Sequence, residues 1–205
     1  MEHIPREGVT AVLPTTVTDL PHVLTKAAAN VAAVMKEGYC GAEILGIHFE
    51  GPYLDTDYRG AQPPEAIAEP SIGQFQAYQE AAEGHIRYVT LSPEHDPDLA
   101  LTRYLSSQGI VVSMGHSSAT YEEALMAVAN GISSQTHVYN GMTPLHHRKP
   151  GLVGAALRMN GLYGEIIGDG HHSHPAALAL FYHAKGPDHA ILVSDSLRVK
   201  YASPG

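Results

Sequence analysis

The sequence predicts an α/β protein with a parallel sheet, and within that class a TIM-type (β/α)8 barrel, from three observations. Short β-branched runs alternate with longer helical patterns along all 205 residues. Glu50, His116, His137 and Asp195 each stand at or just after the carboxyl end of a different run, which is how a barrel assembles a site at its C-terminal face. The first run is followed by "LPTTVTDLP", not by the glycine-rich phosphate loop of a doubly wound sheet, and "GPYLDTDYRG" does not fit one either. About seven runs are present, so the expected barrel is incomplete: a strand is missing or unread.

The strand candidates are "VTAVLPT" (9–15), "EILGIHF" (43–49), "IRYVTL" (86–91), "IVVSM" (110–114), "ISSQTHV" (132–138), "LYGEIIG" (162–168) and "AILVS" (190–194), each rich in Val, Ile or Thr. A helix is predicted over 20–37, stopped by Gly38. Another spans 97–108, with the carboxylates of "DPDLA" at its start and Gly109 at its end. A third spans 118–130, capped by Ser118 or Thr120, with Glu122 and Glu123 in the first turn and Gly131 as the stop. The long loops 50–70 and 139–160 fall where βα loops carry function.

With 44% hydrophobic residues the chain supports one core, read as a single catalytic domain over 1–205. A formal charge of -9 and a pI near 5.8 leave no basic field for nucleic acid, so an anionic substrate must be met locally. The lone Cys40 builds no disulfide framework, the start "MEHIPREGVT" has no signal-peptide pattern, and no apolar run approaches the roughly 20 residues of a membrane span. These features point to a cytoplasmic enzyme with no membrane partner.

The stretch "GISSQTHVYNGMTPLHHRKPG" gathers His137, His146, His147 and Arg148, open to reading as metal ligands, a phosphate pocket or ordinary structure. A single histidine after a strand is more often hydrogen-bonded structure than a ligand, "EGP" at Glu50 could simply open a turn, and Asp195 could cap a helix. Joint placement on separate strand ends changes that balance. One carboxylate and two imidazoles suit Zn2+ or another borderline divalent ion, and three protein ligands leave a position open for water. Asp195 would then serve as general acid/base.

Taken together, "GIHFEGPYL", "RGAQPPEAI", "SMGHSSATYEEA", "THVYNGMTPLHHRKPG", "EIIGDGHH" and "LVSDS" resemble the N-acetylglucosamine-6-phosphate deacetylase family of the amidohydrolase superfamily, through almost the whole chain. The resemblance implies metal-dependent hydrolysis of the acetamide of N-acetylglucosamine 6-phosphate. It assigns Glu50, His116 and His137 as ligands to a divalent ion (Zn2+, with Fe2+, Mn2+ or Co2+ as alternatives), on the third, fifth and sixth barrel strands. Asp195 becomes the catalytic acid/base after the eighth. Against the family pattern the first strand and a small β-domain are missing, which implies a partial chain whose activity belongs to a longer parent, itself a homodimer or tetramer. Ala61, Gln62, Asn140, Gly141, Arg148 and His172 match positions that line the sugar phosphate, with Arg148 offering a planar fork to two phosphate oxygens. Relatives often carry histidine in place of Gln62, where glutamine can still donate a hydrogen bond, so altered affinity is expected more than altered chemistry; they usually carry alanine in place of Gly141, where glycine should make the backbone more permissive. Another N-acetyl amino-sugar amidohydrolase, or an inert fragment, are the competing readings.

Overall fold

The computed structural model describes residues 2–197 and Lys200. Seven parallel strands form one sheet in strict chain order: β2 (Thr15–Thr16), β4 (Ile47–Glu50), β5 (Ile86–Leu91), β6 (Val111–Met114), β7 (Ile132–Gln135), β8 (Tyr163–Ile167) and β9 (Ala190–Val193). A separate two-stranded pair joins β1 (Ala11–Val12) to β3 (Glu43–Ile44). The crossovers carry α1 (Pro21–Glu37), α2 (Ile72–Ala81), α3 (Ala100–Ser107), α4 (Tyr121–Ala129), α5 (Gly151–Arg158) and α6 (Pro175–His189). The sheet curls into the unclosed wall of a TIM-type barrel, with β2 and β9 at its two edges.

Two predicted strands prove to be interrupted. The run 9–15 divides into β1 and β2 because Pro14 has no N–H to donate, although its carbonyl still accepts the N–H of His48 at 3.0 Å. Its partner run 43–49 divides at Gly46, whose φ of 153° suits glycine and where a Cβ would lie 2.4 Å from Arg87 Cγ. The run 132–138 ends early, since His137 turns to φ 30°.

Hydrogen bonds that skip a strand define the concave face. Tyr88 on β5 donates to Ser134 on β7 at 2.8 Å, and the hydroxyls of Thr90 and Thr136 lie 2.7 Å apart, contacts that a flat sheet would not allow across β6. Ser113 and His48 join the same network at 2.7 Å each. Burial pushes His48 down to about 4, so it sits there as a neutral hydrogen-bonding group. The convex face is apolar: Leu24 and Ala28 of α1, Phe75 and Tyr78 of α2, Leu101 and Leu105 of α3, and Phe181 of α6 are all buried against the sheet.

N-cap side chains accept backbone N–H groups at the starts of α2, α4 and α6. At α4, Thr120 Oγ1 accepts the N–H of Glu123 at 3.2 Å and the Glu123 carboxylate accepts the N–H of Thr120 at 2.7 Å, so Thr120 and not Ser118 is the cap. The helix predicted from residue 97 begins three residues later, because Asp98 and Leu99 are left-handed at φ 54° and 52°. Asp96 reaches across that kink to accept the N–H groups of Leu101 and Thr102 at 3.0 and 2.7 Å. Among the described residues no helix is long and apolar enough to cross a membrane.

Leu105 is fully buried and Thr120 is exposed, so their truncations separate packing from capping. Leu105→Ala is expected to lower unfolding free energy by about 2–5 kcal/mol and Thr120→Ala by about 1 kcal/mol in urea titrations. Equal losses would contradict this division.

Candidate metal centre

Glu50 is the last residue of β4, while His116 and His137 lie just past the carboxyl ends of β6 and β7. Both histidines take left-handed backbone conformations, φ 49° and 30°. Such turns are uncommon outside glycine but open to histidine, and here they swing each ring over the end of the sheet. The His116 carbonyl is pinned by Ser92 Oγ at 2.5 Å and by the N–H of Asp55 at 2.8 Å. The N–H of Asn140 donates to the His137 carbonyl at 3.0 Å.

Three side-chain atoms converge as a result. His116 Nε2 lies 2.7 Å from Glu50 Oε1 and 3.0 Å from His137 Nε2, and His137 Nε2 lies 3.5 Å from the same Glu50 oxygen. Ligands held tetrahedrally at roughly 2.0–2.1 Å from zinc would be separated by about 3.3 Å, so these spacings suit a single ion. All three residues are buried. His116 Nδ1 lies 3.0 Å from the Tyr58 carbonyl, which can only accept, so a proton held on that nitrogen would leave the Nε2 lone pair for an ion at the centre. Burial opposes ionisation of Glu50, yet the two imidazoles outweigh it and hold the carboxyl well below the usual range. Burial likewise opposes charge on His137, and Glu50 overrides it, moving that imidazole upward. A buried anion faced by two imidazole nitrogens is a donor set that calls for a cation.

The other predicted residues divide into those that support this centre and those that surround it. Gln62 is buried, donating from Nε2 to Glu50 Oε1 at 3.2 Å and accepting the N–H of Thr18 at 2.7 Å, so it braces the Glu50 carboxylate. Gly141 has φ 58°, and a Cβ there would stand 3.0 Å from His116 Nδ1. The expected backbone latitude at this glycine is thus taken up by a close approach. Asn140 Nδ2 donates weakly to the carbonyls of His137 and Val138 at 3.3 and 3.4 Å. Asp195 follows β9, exposed, with its negative charge felt at His137. Ala61 is an exposed loop residue, and the Arg148 guanidinium is exposed with no partner among the described residues. His172 is exposed and paired through Nδ1 with Asp169 at 2.7 Å. The rings of His146 and His147 lie 4.2 Å apart, tilted by 42°, on the exposed loop.

Sequence reasoning missed a polar cluster beside His116. The Asp55 carboxylate accepts the N–H groups of Asp57 and Tyr58 at 2.8 and 3.0 Å on one oxygen, and Ser118 Oγ and His95 Nε2 at 2.8 Å each on the other. Glu94 accepts from Ser117 Oγ and the N–H of Ser118 at 2.7 and 2.6 Å. These residues come from three different βα loops and share no spacing that the sequence displays.

No family model matches the chain. The N-acetylglucosamine-6-phosphate deacetylase of Bacillus subtilis is 42% identical over 205 residues, covering 98% of this chain and 52% of that protein. The chain is homologous to one half of the N-acetylglucosamine-6-phosphate deacetylases. An N-acetylgalactosamine-6-phosphate deacetylase of Escherichia coli O157:H7 is 38% identical over 96% of this chain and 52% of its own length. A solved deacetylase mutant from Mycobacterium smegmatis, in complex with N-acetyl-D-glucosamine-6-phosphate, superposes with a TM-score of 0.89 at 32% identity, over 96% of this chain and 50% of that one. The chain thus spans about half the length of the deacetylases it matches, and its unclosed barrel wall is the part they share.

The Asp55–His95 pair gives a pH signature. Burial works against both charges, but the partners prevail: His95 moves upward beside Asp55, Glu94 and Glu69, and Asp55 moves downward under His95, Ser118 and the two amides. The raised imidazole contributes stability below its unfolded value near 6.5 and loses it as pH rises through its folded value; the lowered carboxyl contributes above roughly 4. The pair is therefore strongest between about pH 4 and 6.5. The stability gap between wild type and His95→Ala in urea melts is expected to be larger at pH 5.5 than at pH 9. The change should stay below about 1 kcal/mol, because the imidazole is nearly half exposed and screened. A gap independent of pH would exclude the ion pair.

Proposed function

We propose that the protein carrying this chain hydrolyses the acetamide of N-acetylglucosamine 6-phosphate to glucosamine 6-phosphate and acetate, in a catalytic barrel domain of which residues 1–205 form part. The convergence of Glu50 Oε1, His116 Nε2 and His137 Nε2 carries this reading, supported by the relatives' names. These three residues would hold one divalent ion, with Zn2+ favoured by the borderline donor set. Such an ion supplies Lewis-acid polarisation of a carbonyl and lowers the pKa of water. Asp195 would accept the proton of the attacking water and return it to the departing amine nitrogen as the C–N bond breaks. Gln62 and Gly141 would keep Glu50 and His116 in place, and Ala61, Asn140 and His172 would line the sugar. Arg148, exposed on the loop after β7, would take the phosphate through paired N–H donors.

A second reading differs only in the substrate's C4 configuration. Relatives acting by name on N-acetylgalactosamine 6-phosphate reach 38% and 40% identity, within the range of the glucosamine deacetylases. Comparing turnover of the two epimers decides between them.

The central test is metal content and turnover in point variants of the whole protein. His116→Ala and His137→Ala should lose the ion. Asp195→Asn should retain it while kcat falls by roughly 10²–10⁴-fold, since an amide accepts no proton from water. Full metal occupancy in both histidine variants would refute the ligand set, and normal kcat in Asp195→Asn would remove that residue from the chemistry.

Arg148→Ala should weaken kcat/KM for the phosphorylated sugar by about 2–5 kcal/mol if the contact is desolvated, and hardly affect unphosphorylated N-acetylglucosamine. Lysine should restore part of the loss. An equal fall for both sugars would make Arg148 a support for its loop.

A further inference from the structure

Metal ligation by His116 requires its Nε2 lone pair to face the centre, and the imidazole has two ways to fail. It can rotate, or it can place its proton on the wrong nitrogen. The Tyr58 carbonyl, 3.0 Å from Nδ1, prevents both by demanding a donor at that position. What holds this carbonyl is therefore part of the metal site. Tyr58 belongs to the loop that follows Glu50, and its own N–H donates to Asp55 Oδ1 at 3.0 Å, beside the N–H of Asp57 at 2.8 Å.

Asp55 also reaches His116 from the other side. Its N–H donates to the His116 carbonyl at 2.8 Å, fixing the left-handed residue from which the ring projects. Its second oxygen accepts Ser118 Oγ, two residues beyond His116, and His95 Nε2 from the loop after β5. One buried carboxylate thus ties three βα loops together around a single ligand.

We propose that Asp55 is a positioning residue for the metal centre, acting through the Tyr58 carbonyl to set the rotation and tautomer of His116. This rests on the reading of Glu50, His116 and His137 as ligands. Asp55, Glu94 and His95 also lie close enough together to hold an ion of their own, but the oxygens of Asp55 and Glu94 already accept amide and hydroxyl donors, which favours the supporting role.

The test is Zn2+ affinity, measured by competition with a chromophoric chelator on the purified protein. Asp55→Ala should bind Zn2+ about 10–100-fold more weakly than wild type, the usual effect of removing an outer partner of a ligand. Asp55→Asn keeps an acceptor oxygen for the amides of Asp57 and Tyr58 and should recover most of that loss. Equal affinity in wild type and Asp55→Ala overturns the proposal, whereas a wild type that binds no Zn2+ overturns the ligand reading instead. Nitrogen-15 NMR of zinc-loaded wild type gives a check that needs no variant: His116 should be protonated at Nδ1 and ligated through Nε2. The opposite tautomer overturns the proposal even if Asp55→Ala does not fold.

Discussion

Glu50 Oε1, His116 Nε2 and His137 Nε2 converge on one buried point, and the surrounding structure is organised to keep them there. Withdrawing a carboxylate from water is penalised by several kcal/mol, and the penalty is offset only by opposite charge or well-placed donors. Gln62 supplies one donor to Glu50, and the imidazoles supply the rest of the favourable field. The left-handed backbones of His116 and His137 are tolerated because the rings must leave the strand direction to meet over the sheet end. Gly141 packs closely against the His116 ring: a Cβ there would stand 3.0 Å from His116 Nδ1, so a larger residue would require the imidazole to give way slightly.

Rigidity reaches this point from beneath. The concave face directly under the ligands is polar, with His48, Thr90, Ser113 and Thr136 linked across β4 to β7 by hydrogen bonds between neighbouring and next-neighbouring strands. Every such bond is satisfied within the protein, so a polar interior here specifies the curl of the sheet as well as tolerating it. Gly115 belongs to the same arrangement: a Cβ would meet Thr136 Cβ at 2.9 Å and Thr90 Cγ2 at 3.1 Å, and its absence lets the turn into His116 descend onto that layer. Packing of α1, α2, α3 and α6 on the convex side supplies the apolar burial that the interior gives up.

The two kinds of chemistry in the proposed reaction fall on elements of different stiffness. The proposed ligands sit at strand ends anchored by ladders and by the Asp55 cluster, where errors of a few tenths of an ångström would matter. Arg148 and His172 sit on exposed loops, where a long side chain can search for an anion and order around it. With a charge of -9 the chain's overall field repels phosphate, so the proposed phosphate contact would depend on that local cation.

The sequence by itself determined the alternation of strand and helix, the parallel order, a capped start to the helix at Ser118 or Thr120, and the placement of Glu50, His116 and His137 at the ends of separate runs. Each of these is written in neighbours within a few positions: a period of hydrophobicity, a cap three residues from its partner, a ligand-type side chain after a β-branched run. Only the tertiary structure decided the interruption of the first strand against Gly46, the reach of Asp96 over a left-handed kink, the bracing of Glu50 by Gln62, and the hub at Asp55. Those depend on groups brought together from loops tens of residues apart, such as Asp55 and Ser118, whose meeting is set by strand order and the curl of the sheet. The identity of the proposed ligands is local information; their orientation is not, because the Tyr58 carbonyl that faces His116 Nδ1 lies 58 residues away in the chain.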